Sequence, residues 1–167
     1  MDSVIEYKSP WGTALYIMSA VSVIIMLGIP LIILIIERND WPIFNIIFIL
    51  LPLMLIITVL FTIRGYILTP DVLFVKRLIW KTRIDLSDLV GVEVDPQAME
   101  KSIRTFGNGG MFSFTGYYRN KKLGSYRAFV TNPKLSVILK FSNRTILITP
   151  NNPVDFTNTI KQYRSIN

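Results

Sequence analysis

The sequence predicts a membrane protein in which a hairpin of two α-helices precedes a mainly-β domain that a C-terminal α-helix closes. Two apolar runs without a charged residue, 14–36 and 43–63, are separated by six residues. From residue 64 the pattern changes to short alternating runs bounded by turn residues, which is typical of β-strands. One amphipathic segment then begins at Pro153. We therefore divide the chain into an N-terminal cytoplasmic segment (1–13), a two-helix transmembrane hairpin (14–63) and a folded domain (64–167).

Each apolar run is long enough to cross a bilayer as a helix, because a hydrocarbon core of about 30 Å needs about 20 helical residues. The connector 37–42 is too short for anything except a reversal, so both ends of the hairpin lie on one side. Basic residues are more numerous at those ends than in the connector: Lys8, Arg64, Lys76 and Arg77 against Arg38. The positive-inside rule then predicts a multi-pass protein of the inner (cytoplasmic) membrane with both termini in the cytoplasm.

The interior of the hairpin predicts an anchor and not a conduit. Neither run contains an ionisable residue, whereas transporters usually place such residues within their spans. Pro30 and Pro52 predict a kink in each helix, since proline removes a backbone hydrogen bond. Polar side chains at Asn45, Thr58 and Thr62 bond either across helices or to their own backbone.

The ends of the first helix carry interfacial signals. Trp11 precedes the first run and Trp41 lies in the connector, where amphipathic rings favour the headgroup layer. Asn39 or Asp40 caps the second helix, and Pro42 suits its first turn.

The domain is predicted to be an antiparallel β-structure with one closing helix. Nine candidate strands share the alternating pattern: 65–69, 72–77, 80–86, 90–95, 103–107, 111–118, 125–131, 136–141 and 145–149. Gly116 within a strand predicts a bulge or a bend of the sheet. The last helix has a cap at Asn152 and an apolar stripe of Phe156, Ile160 and Tyr163 at helical spacing.

Composition excludes most catalytic machinery. The chain has no cysteine and no histidine, which removes thiolate nucleophiles, the commonest general base and the usual zinc ligands. Carboxylates concentrate at five positions, too few at defined spacing for a cation site: Asp85, Asp88, Glu93, Asp95 and Glu100. We assign no catalytic residue, no metal and no cofactor, and we do not expect an enzyme.

Four stretches of the domain resemble the bacterial PH-domain (pleckstrin-homology-like) membrane proteins: 64–75, 84–92, 106–118 and 147–156. The most specific of them is 106–118, an aromatic strand punctuated by glycines. The resemblance implies a PH-like fold, a seven-stranded bent barrel capped by a C-terminal helix, commonly behind a two-helix anchor. It implies no reaction. Relatives that bind phosphoinositides use a basic loop between the first two strands, whereas the corresponding turn here, 69–71, has no basic residue.

One turn of the domain has the composition of an interfacial lipid contact. The second apolar run leads directly into the first strand, so the next strand runs back toward the bilayer and its following turn lies near the lipid surface. The predicted lipid-surface site consists of apolar residues flanked by basic ones: Lys76, Arg77, Leu78, Ile79, Trp80, Lys81 and Arg83. The alternative is that Ile79 and Trp80 pack in the barrel core while the basic residues are solvated.

A second basic group comprises Arg119, Asn120, Lys121 and Lys122, together with Arg127. Basic residues among tyrosines are one mode of single-stranded nucleic-acid binding. A charged hairpin that protects a sheet edge is the favoured interpretation, so no nucleic-acid partner is expected.

Charge and anchoring together predict a function. From residue 64 onward the chain has 16 Lys and Arg against 7 Asp and Glu. We interpret it as a non-enzymatic, membrane-anchored interaction module that presents a basic domain at the inner leaflet to anionic lipid, a protein partner or a second copy of itself. The alternative is an accessory or immunity-type subunit of a larger membrane complex.

Overall fold

A computed structural model describes residues 4–36 and 42–164, with side chains over 4–35 and 46–164. Its elements in chain order are β1 (Ile5–Lys8), α1 (Thr13–Ile36), α2 (Pro42–Leu60), β2 (Ile63–Leu68), β3 (Val72–Arg77), β4 (Lys81–Asp85), β5 (Leu89–Val94), β6 (Ile103–Gly109), β7 (Phe114–Asn120), β8 (Gly124–Val130), β9 (Val137–Phe141), β10 (Thr145–Ile148) and α3 (Pro153–Arg164). A 3₁₀ turn, Pro133–Leu135, lies between β8 and β9.

The first apolar run forms a helix that is long enough to span a membrane. Thr13–Ile35 has a mean hydropathy of 2.7, and nearly all of its most apolar window is exposed. In the described part of the chain it is the one helix that meets the length and hydropathy criteria for a span, because the apolar stretch of α2 with described side chains, Ile46–Leu60, is shorter. Both helices continue through their internal prolines, Pro30 and Pro52.

The predicted second run, 43–63, extends too far at its C-terminal end. The helix ends at Leu60, and Ile63 pairs with Arg77 as the first residue of β2. Ile63 is buried in the domain core, and an apolar core residue directly after a span looks like part of that span in the sequence. Thr58 donates to the carbonyls of Met54 and Leu55, so the local alternative is confirmed for that side chain.

Several predictions on the hairpin lie outside the described residues. They concern the connector residues Arg38, Asn39, Asp40 and Trp41 and the side chain of Asn45.

Two sheets form the domain. One has the strand order β1-β2-β3-β4, and the other has the order β5-β9-β10-β8-β7-β6. All pairs are antiparallel except β8 and β10, which are parallel. The sequence predicted antiparallel pairs throughout. After β8 the 3₁₀ turn carries the chain past one strand position, so β9 is not the neighbour of β8. The strand β10 then returns between them and lies parallel to β8. The described residues form ten strands, whereas the resemblance implied seven.

The N-terminal segment contributes one of these strands, which the prediction placed outside the domain. β1 pairs with β2 from Ile5 opposite Leu68 to Lys8 opposite Gly65. The Tyr7 ring packs edge-on against Phe156 of α3 at 5.0 Å between centroids. A four-residue strand was easily overlooked, although Ile5 and Tyr7 alternate with charged residues in the sequence.

The main core lies between the two sheets and under α3. The predicted closing helix is confirmed: Phe156 and Ile160 are fully buried against this core, and Tyr163 packs at its margin. A smaller apolar cluster covers the opposite face of the six-stranded sheet, beneath the loop that follows β5.

The irregularity predicted at Gly116 is present. Gly116 has a φ of +138° and pairs with Gly107, whose φ is +109°. The register of the two strands shifts between Arg104 and Phe106, directly beside this glycine pair.

Candidate membrane-proximal site

The turn between β3 and β4 exposes three large apolar side chains. Leu78 is 43% exposed, Ile79 71% and Trp80 37%, and the Arg77 amide closes the turn by donating to the Trp80 carbonyl at 2.9 Å. The alternative in which Ile79 and Trp80 pack in the core is therefore wrong. We call Leu78–Trp80 the apolar turn.

The apolar turn lies beside the end of α2, whereas the sequence predicted only that it lies near the lipid surface. The Trp80 ring contacts the Phe61 ring edge-on, with 5.0 Å between centroids. The Arg77 Nη1 donates to the Phe61 carbonyl at 2.6 Å, so it satisfies one of the carbonyls that a helix end leaves unpaired. The domain is thereby joined to α2 without a linker.

Arg77 differs from the other basic residues of the predicted site because it is buried, with 6% of its surface exposed. Its Nε donates to Thr82 Oγ1 at 3.3 Å, and its guanidinium lies over the rings of Phe61, Trp80 and Phe129. Burial lowers the pKa of Arg77, and the nearby charge of Arg127 lowers it further. This side chain is part of the joint between helix and domain.

The remaining basic residues of the predicted site are on the surface. Lys76 pairs with Glu6 of β1 at 2.5 Å and lowers the pKa of that carboxyl. Arg83 and Asp85 are 3.8 Å apart, and both are exposed. Lys81, also exposed, has no carboxylate within 4.0 Å among the described residues. These three residues lie on one face of the β3–β4 hairpin, next to the apolar turn.

The start of α1 is joined to the domain by neutral groups. We call Ser9, Tyr66, Thr131 and Thr149 the hydroxyl cluster. The buried Tyr66 hydroxyl donates to the Phe129 carbonyl at 2.7 Å and accepts from the Thr149 amide at 3.0 Å, while Ser9 and Thr131 hydroxyls are 2.7 Å apart. Burial raises the pKa of Tyr66.

The hydroxyl cluster holds the residues that lead into α1. Thr131 Oγ1 donates to the Pro10 carbonyl at 2.8 Å, and the backbone carbonyl of Thr131 accepts from the Gly12 amide at 3.1 Å. Nearly two turns into the helix, Ser19 Oγ accepts from the Phe112 amide at 2.9 Å. Both ends of the hairpin are therefore fixed to the domain.

A cavity of about 500 Å³ lies between the end of α2 and strands β6, β7 and β8. Arg77, Arg104 and Arg127 belong to its lining, but the Arg104 guanidinium lies over Gly109 on the Tyr118 face of the sheet, so the charged groups in the cavity are those of Arg77 and Arg127. We call it the arginine cavity. Sequence reasoning did not bring Arg77 and Arg127 together. The available signal was strand alternation, which puts Arg127 on the same face of β8 as the core residue Phe129.

The second basic group predicted from sequence is divided by the fold. Arg119, Lys121 and Lys122 line one groove together with Lys101, whereas Arg127 lines the arginine cavity. Lys122 pairs with Asp95, which raises the pKa of the amine.

Three of the five carboxylates singled out in the sequence lie near basic side chains. Glu93 pairs with Lys140 at 2.9 Å, Asp95 pairs with Lys122, and Asp85 lies 3.8 Å from Arg83. In the described part of the chain no three His, Cys, Asp or Glu side chains lie close enough together to hold a metal ion.

A family model described as a bacterial PH domain matches residues 64–164, which extend from β2 to the end of α3 and make up more than half of the chain. The strand β1 and the helices α1 and α2 precede this match. No curated protein matches the chain, and no solved structure matches it. The resemblance seen in the residues is confirmed for the domain, and the chain belongs to the bacterial PH-domain family.

Proposed function

We propose that this protein is a non-enzymatic, two-span anchor for a PH-like module at the inner leaflet, where the apolar turn rests on anionic lipid. The observation that carries this proposal is the exposure of the apolar turn beside the end of α2. Domains of this family are generally non-catalytic. Basic residues near an anionic surface contribute about 1 kcal/mol each, and Lys81 next to this turn has no carboxylate partner among the described residues.

The pairing of β1 with β2 supports a second span. β1 precedes α1 and β2 follows α2, and the two strands are hydrogen-bonded neighbours in one sheet. They must therefore lie on the same side of the membrane. If α1 crosses the bilayer, α2 has to cross back, and its 19 residues extend about 28 Å at ~1.5 Å per residue. A length close to the hydrocarbon thickness suits that role.

Membrane depth can be measured on the full chain because it contains no cysteine. Ile79→Cys and Val90→Cys place spin labels on two exposed apolar positions, one in the apolar turn and one on β5, at the other end of the domain. In phosphatidylglycerol nanodiscs the label at 79 should be shielded from a water-soluble nickel relaxant and the label at 90 should not. Equal accessibility at both positions would refute the lipid contact.

Sidedness is tested with the same variants. A membrane-impermeant maleimide should label Val90→Cys in inverted vesicles and not in intact spheroplasts, whereas Arg38→Cys in the connector should show the opposite pattern. If both positions react from the same side, the two-span anchor is wrong.

An accessory or immunity-type subunit of a larger complex is the second candidate. One observation favours it: Ile103 and Phe106 on the edge strand β6 are 73% and 75% exposed, and an exposed edge strand accepts an added strand from a partner. Extraction in mild detergent followed by size-exclusion chromatography and mass spectrometry tests it. A stoichiometric partner supports this function, and a chain that elutes alone refutes it.

A further inference from the structure

The arginine cavity gathers positive charge without a matching negative charge. Arg77 and Arg127 supply its guanidinium groups, and no carboxylate lies within 4.0 Å of either group in the described ranges. Arg77 and Arg127 share one ring, since their guanidinium carbons lie 5.5 and 4.8 Å from the Phe129 centroid. Like charges held together at a partly buried site are unfavourable unless an anion joins them.

Aromatic rings hold both guanidinium groups in place. Arg127 also lies over the Tyr117 ring at 5.9 Å, and Arg77 lies over Phe61 at 5.4 Å. Arg77 already donates from Nη1 to Phe61 and from Nε to Thr82, whereas stacking leaves the N–H edge of Arg127 available for bidentate binding of a phosphate. The cavity is thus preorganised for an oxyanion.

The rest of the lining is apolar and comes from the membrane helix. Ile57 and Phe61 of α2 line one side, and the exposed ring of Phe106 lines the other. Between β6 and β7 the lining is the glycine pair Gly107 and Gly116, where a Cβ atom on either residue would collide with the backbone of the facing strand. The apolar side of the cavity contributes nothing to the binding of a free phosphate ion, whereas the acyl chains of a phospholipid would extend from it along α2.

We propose that the arginine cavity binds the phosphate of an anionic membrane phospholipid, with the acyl chains lying along α2. This proposal rests on the proposed function, because it requires α2 to be in the bilayer. It differs from the contact at the apolar turn in being a defined site for one headgroup.

Native mass spectrometry of the detergent-solubilised full chain tests the site, with phosphatidylglycerol as the probe. We expect one lipid to be retained, and we expect Arg127→Gln to weaken its binding about tenfold or more, since a hydrogen bond to a charged group contributes that much. Matched controls are Lys101→Gln and Lys121→Gln, which remove charges in the neighbouring groove. Arg77→Lys retains the charge at the joint but loses the guanidinium fork, and it should also weaken binding.

Three results would overturn the proposal. They are equal retention in the arginine and lysine variants, equal retention of phosphatidylcholine, and displacement of the lipid by millimolar inorganic phosphate. The last result would indicate a site for free phosphate. The spin-label depth at position 79 does not depend on the cavity, so the proposed function can fail or survive independently of this result.

Discussion

The two apolar helices join the domain through chemically opposite contacts. The residues leading into α1 are held by the hydroxyl cluster, whose neutral groups are buried and hydrogen-bonded to one another. The end of α2 is held by Arg77, next to Arg127 and a cavity of about 500 Å³. A satisfied neutral network stabilises one geometry, whereas unpaired positive charge remains available to an anion. The α1 junction is therefore a structural joint, and the α2 junction is where we propose that a ligand binds.

The glycine pair beside the arginine cavity is expected to be the most sensitive point. In Gly116→Ala the new Cβ would lie within van der Waals exclusion distance of the Phe106 carbonyl oxygen, at a φ of +138° that alanine rarely adopts. Backbone strain and overpacking each cost about 1–3 kcal/mol, so we expect the free energy of unfolding, measured by thermal denaturation, to fall by about 4 kcal/mol.

The control for this substitution is Gly91→Ala on β5, where an added Cβ meets no atom within 4 Å. It should unfold near the wild-type temperature. Similar melting temperatures for the two alanine variants would show that the glycine pair does not constrain the sheet.

Removal of one hydroxyl should break the α1 junction. Tyr66→Phe leaves the Phe129 carbonyl and the Thr149 amide without their partner in a buried site. Unsatisfied buried groups of this kind cost about 1–3 kcal/mol, and we expect the upper end of this range.

The matched control is Tyr117→Phe, because that tyrosine is 52% exposed and its hydroxyl makes no hydrogen bond within the described part of the chain. In chemical denaturation, Tyr66→Phe should unfold at a clearly lower denaturant concentration than Tyr117→Phe. If Tyr66→Phe is as stable as Tyr117→Phe, the hydroxyl cluster contributes nothing to the joint.

Alkaline pH should weaken the domain through its buried tyrosines. Burial raises the pKa of Tyr66, and it raises the pKa of Tyr118 to about 12. Because the folded pKa lies above that of the unfolded chain, the stabilisation is complete below pH ~10 and is lost between pH ~10 and ~12. For Tyr118 the loss is about 2–3 kcal/mol.

Denaturation midpoints recorded from pH 8 to pH 12 check this prediction. Tyr118→Phe should be less stable at pH 8, since it loses the bond from the hydroxyl to the Asn108 carbonyl, and should show a shallower decline above pH 10. An unchanged slope would contradict the role of Tyr118 in the alkaline loss.

Hydrophobic patterning predicted the fold well wherever segments alternate for five or more residues. The strand 72–77 was placed correctly to the residue, and the helix stripe of Phe156 and Ile160 packs as expected. β1 was missed because four residues give too little periodicity, and Ile63 was assigned to the span because lipid and protein core select the same side chains. Both errors lie at the boundary between membrane and domain.

The candidate site could be predicted in part. A local run of apolar and basic residues was enough to find the apolar turn, and the direction of the two strands predicted that it lies near the lipid surface. The arginine cavity could not be found in this way, because Arg77 and Arg127 come from strands that are distant in the sequence. Their proximity depends on strand order and on the end of α2, which no local pattern contains. The burial of Arg77 was missed for the same reason.

The smallest expected effect on stability concerns the ion pair of β1. Substitutions in this strand test whether charge or packing holds β1 at the edge of the four-stranded sheet. Glu6 and Lys76 are both exposed, and surface pairs of this kind contribute little because water and salt screen them. The melting temperature of Glu6→Gln should therefore equal that of the wild type, within the error of the measurement, at any salt concentration. Tyr7→Phe, one residue along, removes the hydrogen bond from the hydroxyl to Asp155 at 2.8 Å and should cost about 1 kcal/mol. If Glu6→Gln is the more destabilised of the two, β1 is held by charge, and the neutral character that we assign to the N-terminal junction would be wrong.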